Sequence, residues 1–266
     1  MLDDIVNNSL NIIYIIFIKP KINYLRIKMP SGYIEINKNE DKTFKGFITA
    51  PATGIYPGIL LLHDAFGLDA TIRSIAERYA AFGYTTLVPD LFWKQSPSCE
   101  LNSNTESGIK EASELIENFD EESAANDISI ALRWLRESPQ CNGLTAPIGF
   151  GIGGKLSYLA GCWFDVEASI SYYGRGIDKA LAEGNRVRRP MLLHLAENDS
   201  HTSIQAQKEI IRFFEDQKTV TVSQYKNCHN GFIDPWSKFY NRSETEIAEI
   251  KTLELINNSF KNPSTV

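Results

Sequence analysis

Residues able to serve as nucleophile, base or soft metal ligand are scarce in this chain. Its 266 residues include four cysteines and four histidines. Cys99, Cys141, Cys162 and Cys228 show no C-x-x-C spacing. Neither a zinc cluster nor a disulfide framework is expected, and the usage points to a reducing, cytoplasmic setting. Any histidine-dependent chemistry must choose among His63, His194, His201 and His229. An excess of positive charge is also missing. The net charge is −6, which argues against nucleic acid or an anionic membrane as partner. The apolar run "IIYIIFI" near the N-terminus falls well short of the roughly 20 residues of a membrane-spanning helix. No internal repeat or inter-domain linker is evident. The 43% hydrophobic content suffices for one sizeable core.

The first 28 residues differ from the rest. They are rich in Ile, Asn, Tyr and Lys. Two aspartates precede the apolar run where a signal peptide would be basic, and no A-x-A-like cleavage site follows. Residues 1–28 read as an appendage from an over-extended start, with the domain proper spanning 29–266. An extra strand or partner-binding arm is the alternative.

Further on, short apolar runs alternate with amphipathic ones. Strands are expected at 44–50, 57–67 (running into a glycine turn), 84–92, 146–150, 167–174, 189–199 and 220–227. Helices are expected at 70–83, 122–138, 153–164, 202–216 and 244–260, with a polar loop and a further helix over 94–121. This β-α alternation predicts an α/β protein with a doubly wound, mainly parallel sheet and helices on both faces. Working groups in such sheets lie just past the carboxyl ends of strands. That rule selects residues 63–66, 90–94, 149–154, 198–201 and 228–232.

What is missing from "APIGFGIGGKLSYLAG" (146–161) decides how its glycines are read. Gly149, Gly151, Gly153 and Gly154 fall within six positions. A phosphate-binding loop needs Ser or Thr after its G-K pair, and Leu156 stands there. Ser157 is one residue late, about 100° round a helix. A dinucleotide site needs an acid at the end of the next strand, and "SYYGRG" has none. A nucleophile elbow needs small residues two before and two after its central position, because backbones crowd there. Gly149 and Gly153 meet that need. Asp199 and His229 follow in the order acid then histidine, each just past an expected strand.

With these motifs the chain resembles the dienelactone hydrolase family of α/β-hydrolases. The resemblance rests on "LLHDAFGLDATIRSIAERYAAFGYTTLVPDLFWKQSP", the elbow "GFGIGGKLSYLAG", "ISYYG", "AENDSH" and "NCHNGF", and covers residues 33–260. It implies an α/β-hydrolase fold and hydrolysis of small esters or lactones without cofactor or metal, by a monomer or small homo-oligomer. It further implies that Asp199 orients His229 as general base, and that the N–H groups of Ala65 and Ile152 form an oxyanion hole. Asp64 takes the place of an acid that contacts the nucleophilic thiol. Lys94 takes the place of an arginine that binds a substrate carboxylate.

The nucleophile itself is absent. The family carries cysteine where this chain has Gly151, and glycine offers no atom for acyl transfer. Three readings follow: a hydrolase that has lost its nucleophile by substitution, a non-catalytic ligand-binding pseudo-hydrolase, or water activated by His229 and Asp199. Strongly impaired hydrolysis on a preserved scaffold is the expectation. His63 and His194 read as core-edge histidines with satisfied nitrogens, and Trp93, Trp163, Tyr172 and Tyr173 as core or rim aromatics, with Trp93 also a candidate to shape the pocket mouth. His201 is open between pocket wall and solvated loop.

Overall fold

The computed structural model describes residues 30–38 and 42–263; the expected appendage at 1–28 lies outside them. One eight-stranded sheet organises the chain. Its strands are β1 (Ser31–Lys38), β2 (Thr43–Thr49), β3 (Tyr56–Leu62), β4 (Thr85–Pro89), β5 (Cys141–Phe150), β6 (Ser169–Tyr172), β7 (Met191–Ala196) and β8 (Val220–Tyr225). They lie in the order β1-β2-β4-β3-β5-β6-β7-β8. β2 pairs antiparallel with β1 and β4, and every other pairing is parallel.

Helices α1 (Ala70–Ala81), α2 (Glu106–Glu117), α3 (Glu121–Glu137), α4 (Ile152–Trp163), α5 (Ile204–Phe214) and α6 (Arg242–Lys261) connect or flank the strands, with a 3-10 segment at Ile177–Arg186. The doubly wound α/β architecture read from the sequence is therefore the observed one. β3 shows why its run is apolar throughout. Ile59 and Leu61 pack into one core layer, and Leu60 and Leu62 into the layer on the opposite face. Period-2 alternation thus buries both sets, as parallel strands covered on both sides require.

Local signals place the helix ends. Asp69 caps α1 by accepting the Ile72 N–H at 2.9 Å, and Gly83 follows the helix at φ +92°, a conformation glycine adopts without steric cost. The expected strand at 84–92 stops at Pro89. Beyond it, the Asp90 carboxylate turns the chain by accepting the N–H groups of Phe92 and Ser98. β1 is a strand that the apolar pattern does not predict. It is an edge strand with only Ile36 buried, so it carries little apolar signal.

Candidate functional site

β5 ends in a tight turn at Gly151, whose φ of 54° and ψ of −115° precede α4. The flanking glycines are there for space. A Cβ on Gly149 would lie 1.9 Å from the Gly153 carbonyl oxygen, and one on Gly153 would lie 2.3 Å from the Leu62 oxygen and 2.4 Å from the His63 oxygen. The elbow geometry read from the sequence is built, and its central residue has no side chain.

Another side chain fills that space. A Cβ on Gly151 would stand 1.9 Å from Oδ1 of Asp64 and 2.3 Å from its Cγ. Asp64 follows β3, and its Oδ1 accepts the Ala65 N–H at 2.7 Å. The Ile152 N–H at the start of α4 also favours its charged form. The two backbone donors assigned to an oxyanion hole therefore both face Asp64. Burial pushes this carboxyl above the usual carboxylate range, and the two N–H groups and the charges of His201 and Arg175 pull it back. Its backbone is clamped as well. His63 Nε2 accepts the Leu91 N–H at 3.0 Å, so Nδ1 carries the proton and donates to the Asp64 carbonyl at 2.7 Å.

Asp64 opens onto a cavity of about 480 Å³ whose wall includes Phe150, Tyr173, His201, Ile233 and Phe239. Tyr173 holds a φ of +40°, a strained value for a residue with a side chain. Its burial, together with its proximity to Asp64, Asp234 and Asp199, keeps its phenol protonated. Asp69 and Asp234 also line the cavity; burial, with Asp234 adding to it, pushes Asp69 up to about 6.

The remaining predicted residues are arranged differently from expectation. Asp199 accepts the His201 N–H at 2.8 Å. His229 stacks on Phe239 at 4.4 Å and 19°, and no hydrogen bond joins it to Asp199. His201 is the histidine whose charge registers at both Asp64 and Asp199. Lys94 requires a correction. Its ammonium is 2.7 Å from Asp127 Oδ2 and bonded to Ser123, because α3 brings these groups under the β4 loop. It lines no part of the cavity. Trp93 is likewise removed from the mouth: it is buried, stacks on Phe44 and donates Nε1–H to Asp127 at 2.9 Å. Tyr173, read as a core or rim aromatic, lines the cavity; Asp69, Asp234 and Phe239 are lining residues that the sequence does not single out.

His194 is a core group. Tyr225 Oη lies 2.8 Å from Nδ1 and Thr252 Oγ1 2.9 Å from Nε2, and the ring stacks on Tyr172 at 4.2 Å. Burial, aided by Lys251, lowers its pKa to about 3. The unfolded imidazole takes a proton below about 6.5, whereas the folded one stays neutral to about 3. Its contribution to stability is present above about pH 6.5 and is lost as pH falls. The destabilisation caused by His194→Phe at pH 7 should accordingly shrink by about 3 kcal/mol at pH 4. Urea unfolding of both proteins at the two pH values measures this; an unchanged gap would refute it.

All four cysteines are unpaired and buried. Among the described residues, no helix is long and apolar enough to cross a membrane.

A sequence model of the dienelactone hydrolase family matches residues 44–260. Carboxymethylenebutenolidase 1 of Cupriavidus pinatubonensis is 29% identical over 228 residues, 86% of this chain and 97% of that protein. Carboxymethylenebutenolidase of Pseudomonas putida is 27% identical over 223 residues, 84% and 94% of the two chains. Among solved structures, dienelactone hydrolase from Anabaena variabilis superposes with a TM-score of 0.62 at 18% identity, covering 86% of this chain and 98% of its own. A dienelactone hydrolase-like promiscuous phosphotriesterase from metagenomic libraries gives 0.71 at 18% identity, with 86% and 98% covered.

Proposed function

The chain belongs to the dienelactone hydrolase family, and from that premise we propose a scaffold for small esters or lactones on which acyl transfer is strongly impaired. One observation carries this reading: position 151 has no side chain, and the Asp64 carboxylate occupies the space where a nucleophile would begin. Acyl transfer needs a thiolate or alkoxide at that point and free donors for the developing oxyanion. Here the first is missing and the second already face a carboxylate.

The cavity also bears on the substrate. Asp64, Asp69 and Asp234 line it, while Lys94 is held by Asp127. Among the described residues, Lys238 is the one lysine on this wall. Three carboxyl groups thus face one ammonium, and a neutral ester or lactone suits the wall better than one carrying a carboxylate. The stacking of His229 on Phe239, with no hydrogen bond to Asp199, favours a second reading, in which the cavity binds such a ligand without turning it over.

With p-nitrophenyl acetate the protein is expected to show no burst of nitrophenolate. Iodoacetamide should leave its slow release of product unchanged, since every cysteine is buried and none lines the cavity. A burst of one nitrophenolate per chain would overturn the reading. Stabilisation against heat by a neutral lactone, with no turnover of it, would select the binding protein.

A further inference from the structure

We propose that Asp64 is itself a nucleophile, directed at the saturated carbon of an epoxide rather than at an acyl carbon. The inference goes beyond the impaired ester hydrolysis proposed above and shares with it the empty position 151 and the Asp64 carboxylate that fills it. Its basis is a juxtaposition. A carboxylate from the end of β3 stands where the elbow side chain would begin. It is held by the Ala65 N–H, with the Ile152 N–H also favouring its charge, and it faces a half-open cavity large enough for a small organic molecule.

That placement is unsuited to one chemistry and suited to another. Attack by a carboxylate on an ester would form a mixed anhydride while expelling a far more basic alkoxide, so the adduct would revert. The substrate oxygen would also find its donors taken. Attack on a saturated carbon creates no oxyanion at an acyl centre, so those donors are not needed in the first step. In the second step the Ala65 N–H is needed, at the Oδ1 it already holds.

In the first step Asp64 Oδ2 bonds to a ring carbon, and that carbon's bond to the epoxide oxygen breaks with its electron pair moving to oxygen. The oxygen takes the phenolic proton of Tyr173, which lines the same cavity at a strained φ. The product is a hydroxyalkyl ester of Asp64. Water then adds to Cγ and passes one proton to His201, and the negative charge develops on Oδ1 before the Ala65 N–H. Collapse breaks the bond to the alkyl oxygen, which recovers the proton from His201 as a diol leaves. The second proton of the water returns from the Asp64 carboxyl to the Tyr173 phenolate. One epoxide and one water give one diol.

The experiment uses the whole chain in molar excess over styrene oxide, in water enriched in oxygen-18. Acid quenching at short times should yield the peptide containing Asp64 with the mass of one epoxide added. After a single turnover that peptide should carry one heavy oxygen and the diol none. Asp64→Ala should lower diol formation at least about 1,000-fold, with unchanged circular dichroism. If that variant does not fold, the isotope distribution in the unaltered protein decides alone. Heavy oxygen appearing directly in the diol, an adduct on a different peptide, or diol at the uncatalysed rate would each overturn the proposal. A nitrophenolate burst from the same preparation would count against the ester reading and leave this one standing.

Discussion

A protein carrying both Gly151→Cys and Asp64→Ala is expected to hydrolyse p-nitrophenyl acetate with a burst, at a rate at least about 1,000-fold above the unaltered chain. Two obstacles have to be removed together. A cysteine supplies the missing sulfur, but its Cβ would meet Asp64 Oδ1 at 1.9 Å, so the carboxylate must leave. Replacing Asp64 also frees the Ala65 and Ile152 N–H groups for the oxyanion, and one such donor is worth about 100- to 1,000-fold in rate. The new thiol would sit at the start of α4, where the helix N-terminus favours a thiolate without help from His229.

Gly151→Cys alone should gain much less, because the neighbouring carboxylate would crowd the sulfur and its charge would oppose thiolate formation. The comparison is decisive in either direction. If the single variant equals the double, Asp64 does not obstruct the elbow. If neither reacts, the scaffold has lost more than one atom, as the missing hydrogen bond between His229 and Asp199 would then explain.

Several features of this site were legible in the sequence because each depends on one segment. The elbow glycines flank position 151 at fixed spacing, and the crowding that demands them is local to a strand-turn-helix unit. The βα alternation likewise reports burial on each strand and helix separately, and the doubly wound sheet follows from it. What could not be read depends on where segments meet. Asp64 and Gly151 are 87 residues apart; the family resemblance brings them together, but neither stretch says that the carboxylate fills the space left at position 151. Lys94 follows "PDLFW" as a substrate-binding residue should, yet Asp127 on α3 neutralises it. The acid-then-histidine order of Asp199 and His229 is present in the chain, but His229 turns toward Phe239 while Asp199 bonds its own loop. β1 is hidden because a strand at a sheet edge, with one buried residue, lacks the periodic burial that identifies the others.

Gly149→Ala and Gly153→Ala should each destabilise the fold by about 3 kcal/mol or more, the upper range for overpacking, and lower the melting temperature by about 6–12 °C. The cost is high because the obstacles are backbone. At 149 the added carbon would lie 1.9 Å from a carbonyl oxygen of α4, and at 153 it would lie 2.3 Å from one of β3. No rotamer change relieves either contact. α4 would have to lift from the sheet, though it is buried along nearly its whole length. Gly32→Ala is the control: a Cβ there has no neighbour within 4 Å, and an alanine in β1 should leave the melting temperature nearly unchanged. A small effect at 149 and 153 would mean that these glycines are not needed for close approach. The same measurement bears on why the stretch imitates nucleotide-binding motifs. Gly154 is equally confined: a Cβ there would stand 2.7 Å from the Tyr172 oxygen and 3.0 Å from Gly174 Cα. Each of these three glycines thus has a protein neighbour in the space a side chain would take. The N-terminus of α4 faces the Asp64 carboxylate, where a nucleotide-binding fold would place a phosphate. Glycine spacing alone therefore reports how closely helix, turn and sheet approach one another, and the group that meets the helix end reports which chemistry that approach serves.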